Sequence, residues 1–109
     1  MKQDLAAGAP GPSIRLHGEY KSPGGKLVVV DFNLRDAKLA DVQIAGDFFL
    51  FPDDALSRLC SGLEGTLQSD SLEERMAAIE ASLDKGDEMV GFTSHAIAVA
   101  IERAISRIQ

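Results

Sequence analysis

Residues 24–52, GGKLVVVDFNLRDAKLADVQIAGDFFLFP, decide the fold. Gly24 and Gly25 follow Pro23 and supply the positive backbone angles of a tight reversal. From Leu27 to Leu34 the side chains of Val28, Val30, Phe32 and Leu34 share one face. The other face begins apolar at Leu27 and Val29 and turns polar at Asp31 and Asn33, the pattern of a central strand. Arg35-Asp36-Ala37-Lys38 makes a second turn, and Leu39 to Ala45 a third strand with Ala40, Val42 and Ile44 expected to point inward. The stretch closes on a Gly46-Asp47-Phe48-Phe49 corner leading toward a helix.

Upstream, Ser13 to Lys21 alternates cleanly. Ile14, Leu16 and Tyr20 lie on one face and Arg15, His17, Glu19 and Lys21 on the other, a half-buried strand at the edge of the sheet. Residues 1–12, rich in Gly, Ala and Pro, read as a flexible lead-in, leaving 13–109 as one folded domain. Downstream come three amphipathic helices. The first starts near Pro52, with Asp53 and Asp54 placed for the helix dipole, and ends at Gly62 or Gly65; its apolar stripe is Leu56, Leu59, Cys60 and Leu63. The second opens at Ser71 with Glu74 completing a capping box, carries Leu72, Met76, Ile79 and Leu83, and stops at Gly86. Met89 to Phe92 is a short extended segment. Thr93 or Ser94 then caps the third helix, with stripe Ile97, Ile101, Ala104, Ile105 and Ile108. Strands first and helices afterwards give an α+β fold: a three-stranded antiparallel meander covered by three helices.

The chain has 109 residues, 17 acidic against 11 basic side chains, and a net charge of −6 with no cluster of lysine or arginine. Attraction to nucleic acid or to an anionic membrane surface needs such a cluster, so neither is an expected partner. The apolar runs are too short to span a bilayer, the N-terminus lacks a signal-peptide pattern, and the single cysteine suits a reducing compartment, so a cytoplasmic location is expected. No spacing of Cys and His points to a metal site.

Nucleophile-elbow, Walker and dinucleotide patterns are absent. Gly24-Gly25-Lys26 joins two strands, whereas a phosphate loop opens a helix. Cys60, the one potential nucleophile, falls inside a helix on its apolar stripe, where inert packing is expected. His17 reads as a solvated histidine without a partner, and His95 as a surface residue of the last helix. Asp47 either fixes its corner by accepting backbone N–H groups or meets a ligand or partner. Phe48-Phe49-Leu50-Phe51 cannot turn every side chain to one face, so either the corner is covered on both sides or part of it is exposed for a partner. Lys21 and Lys26 bracket the first turn and are solvated lysines or a contact for an anionic group.

Lys21-Ser22-Pro23-Gly24-Gly25-Lys26-Leu27, with Ile44-Ala45-Gly46-Asp47-Phe48-Phe49 and Pro52, resembles the accessory, or C-terminal, domain of lipoate-protein ligases, a domain also found as a separate small subunit. Leu63-Glu64-Gly65 and Gly91-Phe92 fit the family order too, so the resemblance spans the folded part of the chain. It departs from the pattern at Ala37, where relatives often have Gly, and at His95-Ala96, where they tend to be acidic.

The resemblance implies a fold similar to the SufE/NifU type and a non-catalytic role. Such a subunit would work with a separate catalytic ligase subunit that binds lipoate, ATP and magnesium and forms lipoyl-AMP. The lipoyl group would pass to a lysine of an acceptor such as the glycine cleavage H protein or a dehydrogenase E2. The arginine run and glycine triplet of the ligase's own lipoate site are missing here, so no activity and no bound cofactor are expected of this chain alone. Partner or adenylate contacts carried over are Lys21, Gly24, Gly25, Lys26, Gly46 and Asp47, with Phe48 and Phe49 from the corner. The competing reading is a sulfur carrier or scaffold of the SufE/NifU type using Cys60.

Overall fold

The computed structural model describes residues 13–47, 49–90 and 93–107. Strands β1 (Ser13–Lys21), β2 (Leu27–Arg35) and β3 (Lys38–Gly46) form an antiparallel sheet in that order, with β2 central as expected. Three helices follow: α1 (Ala55–Leu63), α2 (Leu72–Ala81) and α3 (Ser94–Ser106). Between them the chain adds a feature that the sequence reading left unpaired. Strand β4 (Phe49–Phe51) pairs antiparallel with β5 (Glu88–Val90), joining the corner after β3 to the segment before α3. The lead-in 1–12 and Ile108 lie outside the described residues.

The inner face of the sheet is Leu16, Val28, Val30, Phe32, Leu34, Leu39, Val42 and Ile44, all buried. Helix α3 packs on β1 and β2, α1 on β3, and α2 on the two other helices. All the described helices therefore cover one face. Helix α3 is more deeply embedded than a single stripe requires, because Ala96, Ala98 and Ala100 are buried beside Ile97 and Ile101. Small residues let it approach the sheet closely. At Gly18 a Cβ atom would collide with the carbonyl oxygen of Ala100 and with Ala104, so β1 has no room for a side chain there.

Strand β3 corrects the expected phase. Leu39 is buried and Ala40 only half-buried, because two residues of β3, Asp41 and Val42, lie opposite the single residue Phe32 of β2. This β-bulge, with Asp41 at φ 50°, shifts the alternation by one and brings Leu39 and Val42 to the same side. The two-residue turn between Arg35 and Lys38 has Asp36 at φ 53° and Ala37 at φ 63°, the paired positive angles of a twist-compatible hairpin.

Helix ends differ from expectation at two places. Helix α1 starts at Ala55, not near Pro52, and Asp54 at its N-cap makes no side-chain cap, pairing instead with Arg58 (Nε–Oδ2 3.2 Å). Helix α2 has the expected capping box, Ser71 Oγ accepting from Glu74 N–H and Glu74 Oε1 from Ser71 N–H, but ends at Ala81, five residues before Gly86. Its buried side includes Arg75, which donates to Glu102 Oε2 (3.2 Å) and to the carbonyls of Gln68 (3.3 Å) and Asp70 (3.0 Å). The acceptors of Arg75 come from a distant helix and an irregular loop. Arg58 similarly forks onto Asp87 at 2.7 and 3.0 Å, tying α1 to the loop before β5.

Two substitutions test this construction by urea denaturation. Ala37→Gly relieves a side chain held in the left-handed region and is expected to stabilise by about 1 kcal/mol. Gly18→Ala forces α3 off β1 and is expected to destabilise by about 1–3 kcal/mol.

Candidate functional site

The hairpin at the Lys21 end of the sheet and the corner after β3 are neighbours in space because both border the first residue of β2. Leu27 pairs with Lys21 on one side, and on the other its carbonyl accepts from Asp47 N–H at 3.3 Å. Gly46 lies opposite Val28. In the turn itself Gly25 N–H donates to the Ser22 carbonyl (2.9 Å), and Gly24 stands at φ 71°, a conformation that favours glycine. Lys21, Gly24, Gly25, Lys26, Gly46 and Asp47 thus share one end of the sheet. Lys21, Lys26 and Asp47 are exposed.

Asp47 contributes its backbone N–H to this corner, donating to the Leu27 carbonyl. Phe48 lies outside the described residues, and Phe49 opens β4 with its side chain also outside them. Phe51 is exposed and Leu50 packs partly against the core.

The outer face of the sheet, on which no described helix packs, has a graded surface. Toward the second turn it is a polar belt across three strands: Arg15 donates to the Asp41 carbonyl (3.0 Å) and to Gln43 Oε1 (3.3 Å), and Asn33 donates to Asp41 Oδ2 (2.8 Å). Toward Lys21 it becomes apolar at Leu27, Val29 and Ala45, half-buried or exposed. The apolar start of β2 on this side was visible in the sequence. It signalled a central strand there, and here it forms an open apolar floor beside two lysines.

His17 departs from expectation. Its ring lies between Glu19 Oε2 and Asp31 Oδ1, each at 2.7 Å. Carboxylates only accept, so two of them on the two ring nitrogens call for the doubly protonated imidazolium. The hydrogen bonds to Glu19 and Asp31 raise the His17 pKa. Spacing along one strand could not reveal Asp31, which arrives from β2 by register.

Cys60 is half-buried, not sealed in the core. It borders a shallow hollow of about 360 Å³ between the β3 edge and α1, with Val42, Ile44, Leu56 and Ser57. Burial pushes the thiol pKa up, against the opposing effect of a hydrogen bond from the Ile44 backbone. A sulfur acceptor needs the thiolate, so this setting does not favour the carrier reading. Among the described residues no group of three or more His, Cys, Asp or Glu side chains is placed to hold a metal ion, and no helix is long and apolar enough to cross a membrane.

No family model matches the chain. Over 40 residues, 37% of this chain and 43% of the relative, it is 40% identical to lipoate-protein ligase A subunit 2 of Thermoplasma acidophilum, so the match spans less than half of that relative's length. A solved structure is similar over 83% of this chain and 97% of its own, with a TM-score of 0.65 and 26% identity. It belongs to the structural analysis of an archaeal lipoylation system, a bipartite lipoate-protein ligase and its E2 lipoyl domain, from Thermoplasma acidophilum.

The titration of His17 is directly measurable. Its folded pKa is raised, so its contribution to stability is complete below the unfolded value and is lost as pH rises through the folded one. NMR titration is expected to place the His17 ring above the ordinary histidine range, and Glu19→Gln is expected to lower it.

Proposed function

We propose that this chain, a member of the accessory small-subunit family of lipoate-protein ligases, is the non-catalytic half of a two-part ligase. It docks on a separate catalytic subunit and supports ATP-dependent formation of lipoyl-AMP and transfer of the lipoyl group to an acceptor protein. The observation that carries this reading is the agreement of fold over nearly the whole length of a chain from a bipartite lipoate-protein ligase system. Chemistry on the chain points the same way: burial pushes the pKa of the one thiol up, and the exposed groups at the sheet end are suited to contact.

The docking surface is the Lys21 end of the sheet. Leu27, Val29 and Ala45 offer apolar area, and Lys21 and Lys26 offer charge-assisted donors to a carboxylate or phosphate on the partner. Lipoate, ATP and magnesium bind the catalytic subunit. Among the described residues no cluster of side chains is placed to hold a metal ion, and the part this chain plays is conformational. Its binding energy favours the adenylating state of the ligase only by the difference in contact between the ligase's states.

The test is lipoyl-AMP formation by the cognate catalytic subunit with and without this chain. Activity is expected to depend on its addition, and a catalytic subunit equally active alone would overturn the reading. Lys26→Ala is expected to leave the thermal melt unchanged and to weaken the reconstituted pair by roughly tenfold, a loss of about 1.4 kcal/mol. Unchanged affinity would remove Lys26 from the contact.

A further inference from the structure

We propose that two copies of this chain pair edge to edge through β1, joining their sheets into one six-stranded antiparallel sheet. This goes beyond the ligase reading and does not depend on it.

The direction of the free backbone groups follows from register. The Leu27 carbonyl points to the β3 side, where it meets Asp47 N–H. In an antiparallel strand, alternate residues then turn their backbone groups to the opposite neighbour, so Val28, Val30, Phe32 and Leu34 face β1. Their partners on β1 are Tyr20, Gly18, Leu16 and Ile14. The N–H and C=O groups of Ser13, Arg15, His17, Glu19 and Lys21 are left pointing off the sheet. The Glu19 carbonyl agrees: its acceptance from Arg103 Nη1, at a long 3.4 Å, comes from α3 and not from β2. Among the described residues no strand covers this nine-residue edge. The other edge is different, since Leu39 N–H donates to Thr66, Val42 N–H to Glu64, and the Leu39 carbonyl accepts from Gly65 N–H. One edge is closed and one is open, and an open edge of this length is a template for another strand.

What identifies the occupant is the sequence of β1 itself. With a two-fold axis through His17, Arg15 of each copy lies opposite Glu19 of the other, twice over, Ser13 lies opposite Lys21, and the two His17 rings meet at the axis, each held between the Glu19 and Asp31 carboxylates of its own copy. The register centred on Gly18 sets two Arg15–Lys21 pairs against two His17–Glu19 pairs, and the register centred on Leu16 opposes Arg15 to His17 twice, so of the three only the His17 register has more opposite-charge than like-charge pairs. On the inner face the His17 register sets Ile14, 49% exposed in the single chain, against the half-buried ring of Tyr20. Cross-strand pairs of opposite charge and of aromatic with β-branched side chains stabilise a sheet. Charge over the whole chain favours the same approach. Residues 47–109 carry twelve acidic and five basic side chains, whereas 13–46 carry four and five, so two copies repel least at the sheet. The Ser22–Lys26 hairpin and Asp47 stay clear of the shared strands.

Sedimentation velocity on the purified chain, without any ligase, tests this over about 5–500 µM, the range where a small edge-only interface is populated. A reversible monomer–dimer equilibrium is expected. Glu19→Arg and Arg15→Glu each place like charges opposite one another at both cross-pairs, and each is expected to weaken self-association by roughly tenfold or more. Mixed in equal amounts, the two variants regain opposite charges at both positions and are expected to associate with each other as a heterodimer. Recovery on mixing also shows that both variants are folded, and Glu19→Gln, which removes the attraction without adding repulsion, gives an intermediate constant. A parent chain that stays monomeric at the highest concentration overturns the proposal. So does a dimer that neither variant weakens, or a mixture that stays monomeric.

Discussion

The fit of α3 against β1 governs this fold. A helix can lie close to a sheet only where neither surface projects side chains, and here Gly18 meets Ala100 and Ala104 at backbone distance. That approach allows one 13-residue helix to bury both the β1 and β2 inner faces. With α3 set so close, α1 and α2 complete the same layer, and the described helices leave the other side of the sheet to solvent. The open face is therefore a product of core packing, available for function because stability does not require it.

Two arginines, Arg75 buried and Arg58 half-buried, hold the helical layer in place around that fit. Arg75 links α2, the preceding loop and α3, and Arg58 links α1 to the loop before β5. Asp87, its side chain almost fully buried against Arg58, has its carboxyl pKa held below the usual carboxylate range by that guanidinium. These ties are specific: removing one partner strands the other's charge in a poorly solvated place. The surplus of negative charge in the same layer is the counterpart, because its other carboxylates remain at the surface and discourage association on that side.

The architecture was legible in sequence wherever alternation or helical periodicity ran unbroken. The three main strands and the Ser71–Glu74 capping box match their patterns, and of the two candidate caps for α3, Thr93 and Ser94, it is Thr93 that caps. Errors arose where a long-range partner overrode a local pattern. The bulge at Asp41 changed which side of β3 is buried, and Asp31 supplied His17 with a partner that its own strand does not contain. The β4–β5 ribbon was missed for the same reason, since its two short strands are far apart in sequence. At the candidate site, the glycine turn and the Gly46-Asp47 corner could be found from residue types, but their adjacency could not. It depends on both flanking Leu27, a fact of register.

The bulge in β3 has a consequence for how the chain can vary. Asp41 is the extra residue, and deleting it would leave Ala40 followed by Val42, an ordinary alternation in which Leu39, Val42 and Ile44 keep their present side. Homologous chains can therefore differ in length by one residue in mid-strand without exchanging core for surface.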